Sequence, residues 1–101
     1  MILICAIVSL GLMALTPSQS VSALGGNCSA RMVSGVGYTV ARGRCVSLNR
    51  DTKARSTLDI AAAPDTHSAW FTDYNKDHDS TPWVSGYPGF PRAARIDYGV
   101  R

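Results

Sequence analysis

Hydrophobic and polar positions divide the chain into two unlike parts. From Ile2 to Leu15 the sequence ILICAIVSLGLMAL is an apolar run of 14 residues, followed by Thr16-Pro17-Ser18-Gln19-Ser20 and Val21-Ser22-Ala23. An apolar stretch of about 7–15 residues, a helix-breaking polar segment and small residues before a cut after Ala23 form the pattern of a secretory signal. A membrane span takes about 20 apolar residues, and this run stops short at Pro17. The amino-terminal region carries no Lys or Arg, so its only cation is the α-amino group. The expectation is a secreted, extracellular protein with residues 1–23 as a cleaved signal peptide and 24–101 as one small domain.

Beyond Ala23 the pattern changes to short runs of β-formers punctuated by Gly, Pro, Asn and Asp. Gly37 to Val40, Arg44 to Leu48, Ser56 to Ile60, Ala69 to Tyr74, Pro82 to Ser85 and Arg95 to Val100 read as strands. Arg42-Gly43 and Asn49-Arg50-Asp51 read as turns. Leu58 and Ile60 fall on one face of their run. The best helix candidate, Leu58 to Ala63, is short and stopped by Pro64. No repeat, heptad or low-complexity block interrupts the series. The spacing predicts an all-β domain, a small Greek-key, sandwich-like unit.

Composition narrows the class further. Removing 23 of 101 residues leaves 78, of which 13 are Leu, Ile, Val or Phe, a low aliphatic content for a packed core. Eight aromatic residues, all beyond residue 30, compensate with large area per side chain. A domain this small recruits a covalent staple. Cys5 leaves with the signal, so Cys28 and Cys45 form the expected disulfide, whose loop is worth about 3 kcal/mol. Asn27-Cys28-Ser29 is also an N-glycosylation sequon at Asn27.

The charge balance is 10 Lys and Arg against 7 acids, all Asp, for a net +3. Arg42, Arg44, Arg50, Lys53 and Arg55 crowd one segment with Asp51 its only acid, a candidate contact for an anionic surface. Arg42 and Arg44, two apart, would share one side of a strand. No stacking platform for bases accompanies them, so nucleic acid is not the expected partner.

Asp73, Asn75, Asp77 and Asp79 have the alternating oxygen spacing of a calcium loop. His78 replaces the Gly such a loop needs, and Val84 stands where its closing Glu would be. His67 and His78 lack zinc-ligand spacing, and no nucleophile motif accompanies them. No catalytic residue is assigned and no enzyme is expected. No cofactor is implied beyond calcium. Trp83 and Phe90, in the aromatic–proline stretch 83–91, are expected to cover the core, with Tyr87 open to a recognition role.

The order Gly43-Arg44-Cys45-Val46-Ser47-Leu48, Ala54-Arg55-Ser56, Trp70-Phe71-Thr72-Asp73-Tyr74-Asn75, Ser80, Pro88-Gly89-Phe90 and Asp97 to Arg101 resembles small secreted fungal proteins. Those are similar to the βγ-crystallin-like fold shared by some killer toxins and microbial inhibitors. The resemblance spans about residues 40–101, and it implies a small extracellular β domain. The function expected is a monomeric, non-enzymatic interaction protein, effector-like or antimicrobial, aimed at a cell-surface, cell-wall or host protein target. The alternative is a calcium-stabilised βγ-crystallin-like domain without catalytic activity.

Overall fold

A computed structural model describes residues 23–101. The signal read over 1–23 lies outside those residues, apart from Ala23. Seven strands account for the regular structure: β1 (Gly26–Gly35), β2 (Tyr38–Leu48), β3 (Thr52–Ala61), β4 (Thr66–His67), β5 (His78–Asp79), β6 (Trp83–Val84) and β7 (Phe90–Val100). There is no helix among the described residues. Every pairing is antiparallel. In one sheet β2 lies between β1 and the short strands β5 and β6; in the other β3 lies between β4 and β7. The domain is all-β, as the spacing predicts.

Strand β3 shows why these residues choose extended backbone. Thr52, Ala54, Ser56, Leu58 and Ile60 are buried, alternating with Lys53, Arg55 and Asp59 toward solvent. Period-two burial is incompatible with a helix: the strand read over Ser56 to Ile60 forms, and the short helix candidate Leu58 to Ala63 does not. The strand runs to Ala61, and the chain then turns at Ala62 with a φ of 63°. Asp65 Oδ1 accepts the Ile60 N–H at 3.0 Å and secures that turn. The turn expected at Asn49-Arg50-Asp51 is present, with Thr52 N–H bonded to Asn49 O at 3.1 Å.

One turn and one strand assignment are corrected, and one strand is added. Arg42-Gly43 is no turn: β2 passes straight through it. Gly43 faces inward, and a Cβ there would lie 2.7 Å from Ile96 Cδ1 and 2.8 Å from Ser56 Cβ. The glycine is required because Ser56 and Ile96 of the facing sheet leave no room for a side chain at this point. Strand β1, with the weakly patterned sequence GNCSARMVSG, carries no expectation from periodicity. It forms because it pairs with β2 from Gly26↔Leu48 to Gly35↔Tyr38. Ala69 to Tyr74 contributes a single bridge, Phe71 to Ala54, in place of a strand.

The core falls into two clusters on either side of Gly43 and Ser56. One contains Ala41, Leu58 and Ile60, with Ala63, Trp83 and Ala94 packed against them. The other contains Cys45, Ala54 and Phe71, with Cys28, Leu48, Ile96 and Tyr98. Cys28 and Cys45 are bonded, and they sit directly opposite each other on β1 and β2 with Cα atoms 4.0 Å apart. The staple therefore closes a hairpin within one sheet. Trp83 covers the core as expected, whereas Phe90 is 60% exposed. It begins β7 at the open end of the sandwich, beyond the last inward-facing position.

Candidate functional site

Three separate segments meet at the end of the sandwich where β1 turns into β2. Ser85 N–H donates to Gly37 O at 2.8 Å and ties the loop after β6 to that hairpin. Strand β6 pairs with the first residues of β2, placing Val84 beside Tyr38 and Trp83 beside Thr39. Ala61, the last residue of β3, pairs with Phe90, the first of β7. Gly89 lies so close to the turn after β3 that a Cβ would run into Ala61 O and stand 2.8 Å from Ala63 Cβ. Its φ of 75° adds a second requirement for glycine.

None of these segments carries a charge. Residues 32–41, 60–64 and 80–91 contain no Asp, Glu, Lys or Arg. All 17 charged side chains are elsewhere. Val36 at the hairpin tip is fully exposed, and Tyr38, Val84, Tyr87 and Phe90 are exposed as well. Beside them opens a cavity of about 190 Å³, walled by Pro64, Pro82, Trp83, Tyr87 and Pro88 over Ile60 and Ala63, with Thr66 and Thr81 at its edge. The Trp83 indole N–H donates to Pro88 O at 3.3 Å, fixing the ring as a wall.

The basic residues do not make one surface. Arg42 and Arg44 share the outer face of β2, as their spacing predicts. Arg42 grips Asp79 with Nε at 2.8 Å and Nη2 at 3.0 Å, and Arg44 reaches Asp77 at 3.1 Å. Lys53 and Arg55 project from β3, on the opposite face of the sandwich. Their cationic groups lie 4.7 and 4.5 Å from the Trp70 ring centroid. Arg55 also stands 3.5 Å from Asp97. Arg50 is exposed in the turn between β2 and β3. Strands β2 and β3 go to different sheets, so a run of basic residues in sequence is divided in space.

Nor does the structure gather Asp73, Asn75, Asp77 and Asp79 about one centre. Asp77 and Asp79 are taken by the arginines of β2. Asp73 Oδ1 is 2.6 Å from Nε2 of His78, whose ring stacks on Phe71 at 3.9 Å. Asn75 turns the chain at a φ of 60°, its N–H bonded to Cys45 O at 2.8 Å. No group of three or more His, Cys, Asp or Glu able to hold a metal ion occurs among the described residues. Asn27 is exposed on β1, next to the disulfide.

The outer face of β3, β4 and β7 holds a polar cluster that sequence patterning did not reveal. The Thr57 hydroxyl donates to Asp97 Oδ2 at 2.6 Å and lies 2.8 Å from His67 Nδ1. Arg95 bridges Asp97 at 3.0 Å and Asp65 at 3.2 Å. Thr57 points outward yet is fully buried beneath these groups. Burial pushes the Asp97 carboxyl up, but the bonds from Thr57 and Arg95 outweigh it and leave its pKa lowered. Asp65 is lowered by the Ile60 N–H, with Arg95 adding to it. Asp79 is lowered by the Arg42 hydrogen bond.

No protein-family model, curated protein or solved structure matches the chain.

Proposed function

We propose that this chain is an extracellular interaction module without catalytic activity, effector-like or antimicrobial in use. It engages a cell-surface or host target through its uncharged aromatic–proline end. The observation that carries this proposal is the convergence of three charge-free segments on one end, where Tyr38, Tyr87 and Phe90 are exposed and Tyr87 lines a cavity. Aromatic residues bury about 150–250 Å² each and dominate the energetics of contact surfaces. A charge-free end avoids the desolvation cost that an ion would impose there.

The charged groups support a non-enzymatic role. Asp65, Asp79 and Asp97 are held ionised by donors, so none is poised as a general acid near neutral pH. His67 and His78 are engaged by Thr57 and Asp73. A disulfide between paired strands accords with an oxidising compartment.

Binding of labelled protein to intact microbial and host cells tests this function. Tyr87→Asp combined with Phe90→Asp should weaken binding at least about 30-fold, the effect of losing a hot spot of roughly 2 kcal/mol. Arg42→Glu with Lys53→Glu should change it less than about threefold. The reverse pattern would move the binding surface to the charged faces.

A further inference from the structure

We infer that Asn27 is the acceptor of an N-linked glycan, and that this glycan guards the free edge of β1. The inference rests on the proposal that the chain is extracellular, since the sugar donor is met in the secretory pathway. The modification needs a side-chain amide and, two residues on, a hydroxyl. Strand β1 presents Asn27 and Ser29 on one face, because alternate residues of a strand point the same way. The slip in pairing with β2 does not disturb this. Asn27 pairs with Ser47 and Cys28 with Cys45, so the extra residue, Val46, belongs to β2. Cys28 packs inward, bonded to the buried Cys45, and Asn27 and Ser29 on either side of it are exposed. In the transfer, the Asn27 amide nitrogen attacks the first sugar of a lipid-diphosphate-linked oligosaccharide at its anomeric carbon. The sugar–oxygen bond breaks, the lipid diphosphate departs with the electron pair, and the nitrogen gives up a proton.

The strand that bears Asn27 has a use for such a group. Among the described residues β1 is the outermost strand of its sheet, paired with β2 alone. The Cα atoms of Cys28 and Cys45 are 4.0 Å apart, the close spacing of a pair that exchanges no backbone hydrogen bonds. The N–H and C=O groups of Cys28, and of Ala30, Met32 and Ser34 in phase with it, therefore point away from β2 to the open edge. Such a row is a template for a further strand, and proteins blunt it by brevity, charge or proline. Strands β4, β5 and β6 have two residues each, and β7 carries Pro91, Arg92, Arg95 and Asp97. Strand β1 has ten residues, no proline and a single charge, Arg31. The sequon supplies what the strand itself lacks, a bulky hydrophilic chain at the start of the row. Asn27 lies eight residues from Gly35, about 26 Å at the rise of a strand, so a glycan there leaves the uncharged end open.

The test is expression of the full chain in a eukaryotic secreting cell, followed by mass spectrometry before and after a glycosidase that removes N-linked sugars. The secreted protein should carry sugar, lost in Asn27→Gln and in Ser29→Ala and kept in Ser29→Thr. All three changes fall on exposed side chains, so the variants should fold and be secreted. Enzymatic removal of the sugar from the folded protein should raise its mass in light scattering about twofold, as β1 pairs with β1 of a second copy. A secreted chain without sugar would overturn the site and leave the extracellular proposal standing. A chain retained in the cell and unmodified would overturn both. A glycan whose removal leaves the protein monomeric would overturn the guarding role alone.

Discussion

Around the disulfide, Cys45, Ala54 and Phe71 form a small interior closed by a covalent bond, by the Phe71–His78 stack and by Tyr98. Around the hairpin tip, Ala41, Leu58 and Ile60 form an interior of similar size with no covalent closure, covered by Trp83 and a proline-rich loop. The charged pairs Arg42–Asp79 and Arg44–Asp77 and the contact of Lys53 with Trp70 flank the middle and the stapled half; the tip half ends in exposed aromatics. One half is fastened by the disulfide and polar outside, and the other is held by packing and hydrogen bonds and open to contact. In a chain with few aliphatic residues, a disulfide in one half lets the other expose apolar surface and still fold.

Inserting bulk where the halves meet should break this division most severely. Gly43→Val would place methyl groups against Ile96 and Ser56 and force the sheets apart along their length. Overpacking of this kind costs about 3 kcal/mol, and the melting temperature should fall by about 12–24 °C in thermal unfolding. A fall below a few degrees would show that the sheets can separate locally.

The next two variants set the halves against each other. Leu58→Ala should cost about 3 kcal/mol in thermal unfolding, because Leu58 is fully buried against Ala41 and Ile60. Cys28→Ala with Cys45→Ala should cost a similar amount, about 3 kcal/mol, read as a fall of about 12–24 °C in melting temperature. A combined variant whose cost departs from the sum of the two would mean that the halves behave as one unit.

Acid should act on the charged surfaces. The pKa values of Asp65, Asp79 and Asp97 are lower in the folded chain than the ordinary 3.8. Their stabilising contribution is therefore fully present above that ordinary value and is lost as pH falls through the lower folded values. The melting temperature should hold between about pH 5 and 7 and drop below about pH 4. Asp79→Asn should flatten that drop, and an unchanged acid slope would remove Asp79 from the account. The smallest effect belongs to Arg44→Ala. Its pair with Asp77 is about half exposed, and the melting temperature should shift by less than about 4 °C.

Several features were legible before any coordinates. The Cys28–Cys45 pairing followed from the count of two cysteines beyond the expected signal. The all-β class followed from short runs of β-formers between turn residues, and the inward face of Leu58 and Ile60 from their alternation. The turn at Asn49 to Asp51 followed from residue types that favour it. All are local properties, set by backbone preference and period within a few residues. Strand β1 was not legible, because its own pattern is weak and its stability comes from pairing with β2 and from the disulfide. Gly43 read as a turn residue because nothing local shows that Ser56 and Ile96 will arrive against it.

The candidate sites divide in the same way. The spacing of Asp73, Asn75, Asp77 and Asp79 is a one-dimensional fact. Whether the four converge depends on Arg42 and Arg44, more than 30 residues away, which take two of the carboxylates. The basic run from Arg42 to Arg55 is continuous along the chain but split between two faces, since β2 and β3 enter different sheets. The three uncharged stretches can each be counted in the sequence, but their meeting around Trp83 and Thr66 cannot. Local chemistry chose strands, turns and the covalent bond; long-range strand pairing chose which surfaces would be charged and which would be left open.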